Sequence, residues 1–124
     1  MPRWEISVET VVAARHQIRG VPGEGGRVHD HQWRVHVVVR AHELDRTGWV
    51  LDFHVVDAAL ERVLAPFAGK FLNDVPPFDD LNPTRENVAR VVAERLGALL
   101  DDGRAHVHRV DVSEGGHRAS YVID

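Results

Sequence analysis

The chain has no cysteine. That excludes a disulfide framework, thiol catalysis and zinc sites built on thiolates. It also lacks any apolar run approaching the ~18 residues that a membrane-spanning helix needs. No apolar leader stands at the N-terminus, so the expected location is cytoplasmic. No stripe of Lys and Arg interleaved with aromatic residues is present, and the formal charge of -4 argues against general nucleic-acid binding. Internal repeats and low-complexity tails are absent as well. What remains is 124 residues, 44% hydrophobic and 27% charged, which suits one soluble globular domain over residues 1–124 with one core.

Histidine, by contrast, is abundant: nine in the chain. Three of them stand out. His16 closes the run Ala13-Ala14-Arg15-His16, and His29 and His31 lie two apart in Val28-His29-Asp30-His31. Three neutral imidazoles hold one Zn²⁺ and leave a fourth position open for water or substrate. A structural zinc site is normally closed by four ligands, so a metal held here points to catalysis. From spacing alone, zinc ligation, substrate binding and a merely structural role all stay open.

Periodicity supplies the scaffold. From residue 4 to 16, Trp4, Ile6, Val8, Thr10, Val12, Ala14 and His16 share one face, as in a half-buried strand. The glycine-rich stretch 19–27 reads as a loop over a site. A second strand over about 29–42 puts His29, His31, Trp33, Val35, Val37 and Val39 on one face. An antiparallel pair joined by the loop brings all three histidines to one end of a sheet. Asp52 is expected to cap a helix through about Phe67, with Val55, Val56, Ala59, Leu60, Val63 and Leu64 as its buried stripe. Residues 68–83 are irregular, broken by Pro76-Pro77 and Asn82-Pro83. Thr84 caps a second helix, with Glu86 in its positive first turn. That helix buries Val88, Val91, Val92, Leu96 and Leu99 or Leu100, and ends at Asp101-Asp102-Gly103. Strands over about 105–114 and 118–123 follow. The order predicts an α+β domain: a four-stranded antiparallel sheet with both helices on one face. Its free edges call for protection, for which edge-to-edge assembly into a barrel is one solution.

Other polar residues carry weaker signals. His106-x-His108 repeats the spacing of His29-x-His31, but follows a polar turn and is expected to be solvent-exposed. His36 and His42 read as surface residues. Glu114 shares parity with Val110 and Val112, so its carboxylate points where apolar side chains point. It needs a cation or convergent donors. The guanidine-like edge of a heterocycle answers that need, and so does an arginine at a subunit contact.

Taken together, the stretches Ala13-Ala14-Arg15-His16, Val28–Val35, Gly48-Trp49-Val50-Leu51-Asp52-Phe53, Leu72-Asn73, Pro83-Thr84-Arg85-Glu86-Asn87-Val88-Ala89 and Val112-Ser113-Glu114 resemble the 6-pyruvoyl- and 6-carboxytetrahydropterin synthase family. The resemblance implies a tunnel fold, subunits joined into a β-barrel as trimers or hexamers, and active sites between subunits acting on a small molecule. It implies that His16, His29 and His31 bind Zn²⁺ and that Glu114 grips a pterin-like ring. Thr84 and Glu86 belong to its helix-start motif and support the pocket.

The departures bear on the reaction. The family's catalytic cysteine stands four residues before the first histidine of the pair, where this chain has Gly25. Its Asp-His pair before Leu-Asn is here Ala68-Gly69, and its His-Gly-His is here His29-Asp30-His31. Glycine and alanine transfer no proton, so the usual chemistry on 7,8-dihydroneopterin triphosphate cannot run unchanged. Glu24, His117, His54 and Asp74 are the candidate replacements, and a zinc-bound hydroxide is another. The leading expectation is a zinc-dependent lyase or cyclase-like enzyme acting on a non-standard pterin-like or polyoxygenated metabolite. Metal stabilisation of an enediolate-like oxygen suits aldol cleavage, epimerisation or elimination. A noncatalytic zinc- and pterin-binding homologue and a retained 6-carboxytetrahydropterin synthase with a relocated base are the alternatives.

Overall fold

The computed structural model describes residues 2–123. Strand β1 (Trp4–Gln17) and strand β2 (Val28–Ala41) form a long hairpin across the glycine-rich loop. Helix α1 (Phe53–Leu64) and helix α2 (Arg85–Leu100) follow, then strands β3 (Ala105–Glu114) and β4 (His117–Val122). The sheet is antiparallel throughout, in the order β1-β2-β3-β4. The expected α+β architecture, a four-stranded antiparallel sheet with both helices on one face, is thus present.

Alternation decides which side chains meet. The valines at 35, 37, 39, 107, 110 and 112 are all but inaccessible and face the helices. Val56, Leu60 and Val63 of α1 and Val88, Val92 and Leu96 of α2 close over them. Each buried Val or Leu side chain contributes roughly 1.5–3 kcal/mol. Asp52 caps α1 by accepting from the His54 N–H, and Thr84 caps α2 by accepting from the Asn87 N–H.

Two helix details differ from expectation. Val55 is 52% exposed, because α1 lies near the free edge of β1 and has only one covered stripe. The α2 stripe is as expected, with Leu100 the one of the two offered residues that completes it. Helix α1 also stops at Leu64, three residues short of Phe67, which is buried in a following turn.

Residues 69–83 are irregular in dihedral angle but firmly attached. Gly69 N–H donates to the Ala13 carbonyl and Arg15 N–H to the Lys70 carbonyl, so the segment lies along the outer edge of β1. Asn73 pairs its carboxamide with both the N–H and the C=O of Gln17, and Asn82 does the same for Arg19. Two side-chain amides thus imitate a neighbouring strand and satisfy the edge above the point where regular pairing ends. None of the described helices is long and apolar enough to cross a membrane.

Candidate functional site

The hairpin register places His16 opposite His29 and Ala14 opposite His31. All three imidazoles therefore stand on the helix-side face at one end of the sheet. Their ring centroids are 4.9 Å (His16 to His31), 5.6 Å (His29 to His31) and 6.1 Å (His16 to His29) apart. Three imidazoles around one Zn²⁺ at about 2.0–2.1 Å place their centroids about 5 Å from one another. The spacing therefore fits a shared cation.

Hydrogen bonds assign the protons. His16 is 3% exposed, and its Nδ1 donates to the Pro83 carbonyl at 2.8 Å, so Nε2 keeps its lone pair. His31 Nδ1 lies 3.2 Å from Glu114 Oε2, an ion-pair contact beside the carboxylate. His29 Nε2 donates to the Glu24 carbonyl at 2.8 Å and leaves Nδ1. Backbone carbonyls and a carboxylate holding the second ring nitrogen are the usual outer partners of metal-binding histidine. Burial, and then repulsion from His31, Arg85 and His29, holds His16 below its ordinary pKa, against the opposing bond to Pro83. It is therefore a neutral donor. Among the described residues, no three His, Asp or Glu side chains have their donor atoms already drawn together as an ion site. The rings are gathered while the free nitrogens are not yet convergent. His29 and His31 are partly buried.

Trp33 forms the floor. It is 2% exposed, meets His16 edge-on at 4.7 Å and His31 at 5.7 Å, and donates its indole N–H to the Ala14 carbonyl. The other wall is the start of α2. Arg85 Nη2 donates to Glu114 Oε2 at 3.1 Å, the same oxygen that lies nearest His31 Nδ1. An arginine partner for Glu114 is therefore present within the chain itself. Arg85 belongs to the helix-start motif Pro83–Ala89. Its part comes from helix geometry: as the first residue of α2 it turns toward the end of β3. Its Nε is buried without a partner.

The remaining candidates are spread over two ends of the molecule. Glu24 sits in the loop, bonded through its carbonyl to His29, while its carboxylate meets Arg27 at 3.1 Å in solvent. His117 lies directly opposite Glu114 at the β3–β4 turn and is exposed. Asp74 is exposed in the short turn Leu72–Asp74, on the segment that lines β1. Thr84 is committed to its cap, and Glu86 is exposed in the first turn of α2. His54 is not brought to the imidazoles. It stands at the start of α1, after the loop that leaves β2 at Ala41, about 30 Å of strand from His31. There its Nδ1 pairs with Asp52.

The second His-x-His pair departs from the sequence reading. His108 is 7% exposed and its Nδ1 donates to the Ile123 carbonyl at 2.7 Å. His106 Nε2 is buried without a partner. His36 is not a bare surface residue either: its Nδ1 meets Asp111 Oδ2 at 2.8 Å. His42 is exposed as expected.

With this geometry in view, comparisons with known proteins are specific. Residues 5–124 match the family model described as 6-pyruvoyl tetrahydropterin synthase. The 6-carboxy-5,6,7,8-tetrahydropterin synthase of Bacillus subtilis is 32% identical over 103 residues, spanning 79% of this chain and 68% of that one. The 6-pyruvoyl tetrahydropterin synthase of Caenorhabditis elegans superposes with a TM-score of 0.86 at 22% identity, over 100% of this chain and 98% of the other. A Plasmodium vivax 6-pyruvoyltetrahydropterin synthase, in a variant with a catalytic glutamate replaced by alanine, gives 0.71 at 18% identity over 98% of each chain. The matched length, the sheet order and the helix placement agree, and the chain belongs to the 6-pyruvoyl tetrahydropterin synthase family.

Proposed function

We propose that this chain is a zinc-dependent enzyme of the carbon–oxygen or carbon–carbon lyase type, acting on a pterin-like or polyoxygenated small molecule. The observation that carries the reading is the gathering of His16, His29 and His31, with the outer nitrogens of His16 and His29 bonded to the Pro83 and Glu24 carbonyls and Glu114 beside His31. Zn²⁺ would be held by those three imidazoles and, when bound, supplies a Lewis acid for ligand oxygens.

The other roles belong to the chain itself. Glu114 accepts N–H donors from the edge of a heterocyclic ring, and Arg85 keeps its negative charge compensated until the ligand arrives. Trp33 and the buried face beneath it exclude water from one side of the site. Glu24 is the first choice for proton transfer. Its backbone is tied to His29, whereas its ion pair with Arg27 is solvent-exposed and weak, so the carboxylate is free to swing inward. A catalytic glutamate is known in the Plasmodium vivax enzyme. His117 and Asp74 are second choices. Thr84 and Glu86 act through the α2 start that carries Arg85.

Assembly into trimers or hexamers with sites between subunits forms part of this proposal, and the single chain is assigned the cytoplasm. Both outer strands leave apolar side chains exposed, including Trp4, Val11 and Val122. Light scattering on the purified protein reads the subunit number directly.

A second reading has its own support: retained 6-carboxytetrahydropterin synthase activity with Glu24 as the relocated base. The likeness to the Bacillus subtilis enzyme favours it. The deciding experiment incubates zinc-loaded protein with 7,8-dihydroneopterin triphosphate and follows products by mass spectrometry. Stoichiometric zinc with no pyruvoyl- or carboxytetrahydropterin supports the altered substrate. Formation of either product, lost in Glu24→Gln, supports the second reading. Failure to bind zinc, or zinc binding unchanged in His16→Ala, overturns both.

A further inference from the structure

The face of the sheet turned away from the helices carries a second, independent arrangement. The register sets Val11, Arg34, Ser113 and Arg118 side by side across all four strands. Strands about 4.8 Å apart put the Arg34 and Arg118 backbones about 10 Å from each other. Both guanidinium groups can therefore reach one anion above Ser113. An open cavity of ≈ 710 Å³ lies over this row, lined by Arg34, Ser113, Arg118, Gln32, Glu114 and the Gly115-Gly116 turn. Its size falls within the range of small-molecule pockets.

Neighbouring acids do not cancel these charges. Asp111, one row away, already receives His36, Arg109 and Ser120. Glu114, at the rim of the cavity, is held by Arg85 and His31. Arg34 pairs with Glu9 at 3.0 Å, but both partners are about half exposed, and such a pair is readily exchanged. Arg118 makes no ion pair with any described residue. It is a cation on a concave polar surface, and the nearby Asp111 senses its charge without forming an ion pair with it.

We propose that Arg34, Ser113 and Arg118 form a phosphate-binding site. Two guanidinium groups match a dianion, and a tetrahedral oxyanion has oxygens left for the Ser113 hydroxyl and the Gln32 amide. A carboxylate would leave one arginine uncompensated. The space beyond the row accommodates the organic part of a phosphate monoester. Since the imidazoles occupy the opposite face, the site stands whether or not His16, His29 and His31 hold a metal.

Calorimetric titration of the full chain with inorganic phosphate, in the presence of a chelator, tests the proposal. Saturable binding is expected, weakened about tenfold or more in Arg118→Gln and in Arg34→Gln. Arg62→Gln on α1, away from the row, should bind as the unaltered chain does. Both cradle arginines are solvent-facing, so a matching melting temperature verifies that the variants fold. Absence of saturable binding overturns the site, and so does an equal loss in Arg62→Gln, which would report net charge only. Glycerol phosphate in place of the free ion separates the two sources. Tighter binding assigns the site to an esterified metabolite, and equal binding assigns it to free phosphate.

Discussion

His29-x-His31 and His106-x-His108 have the same spacing, lie on neighbouring strands of one sheet, and end in opposite situations. The first pair sits in regular pairing, directly across from Ala14 and His16, so the two rings share a face and meet a third. The second pair straddles an irregularity. Val38 pairs with Arg109 and Val39 with Val107, which leaves His108 as the extra residue of a bulge. The bulge breaks the alternation, and the two imidazoles become separate structural groups. A spacing of two is a statement about a face only while the strand is regular.

Four changes would break or sharpen this contrast. The largest effect is expected for His16→Ala. It removes the most buried imidazole of the first cluster, and stoichiometric zinc should be lost by elemental analysis, whereas His108→Ala should leave zinc content unchanged. Retention of zinc in His16→Ala would dissolve the distinction between the pairs.

Next in size is Asp111→Ala, in the ladder between the two pairs. Asp111 is 2% exposed and collects His36, Arg109 and Ser120. Its loss leaves three donors without their acceptor and should cost about 2–4 kcal/mol by denaturant unfolding. The pH dependence follows from the same residue. Burial acts to raise its pKa, but the bonds from Ser120 and His36 and the charges of Arg109 and Arg118 outweigh burial and hold it below its ordinary 3.8. A depressed carboxylate stabilises the fold fully above the unfolded-state value and loses that contribution as pH falls through the folded-state value. The unaltered protein should therefore lose stability below about pH 4, and Asp111→Ala should show a flatter acid limb.

A smaller loss is expected for His108→Ala. It removes the bond to Ile123 and opens a small cavity, about 1–2 kcal/mol by thermal or denaturant unfolding. The smallest effect, and of opposite sign, belongs to His106→Val. The buried, partnerless Nε2 of His106 disappears, so stability should rise by about 0.5–1 kcal/mol. A decrease would mean that His106 has a partner in the assembled protein.

Much of the site was legible before any coordinates. The parity of His16 and of His29 and His31 needs only the two-residue period of a strand, and their convergence needs only a hairpin. The caps Asp52 and Thr84 are local as well, since each reaches an N–H two or three residues away. What escaped the sequence depends on contacts between distant segments. Arg85 reaches Glu114 because α2 begins beside the end of β3. Pro83 fixes the His16 ring across 67 positions of chain. Asn73 and Asn82 act as strand substitutes only because the segment 69–83 folds back along β1.

The sequence by itself determined the elements, the faces and the family, since periodicity, capping and the ordered motifs are properties of the chain. Only the tertiary structure decided which polar groups are partners. It put Arg85 and His31 on one oxygen of Glu114, buried His108 at a bulge, separated His54 from the imidazoles and aligned Arg34, Ser113 and Arg118 across three strands. Such pairings depend on strand register and helix position, set by collective packing of the valine-rich core, to which no single stretch of sequence holds the key.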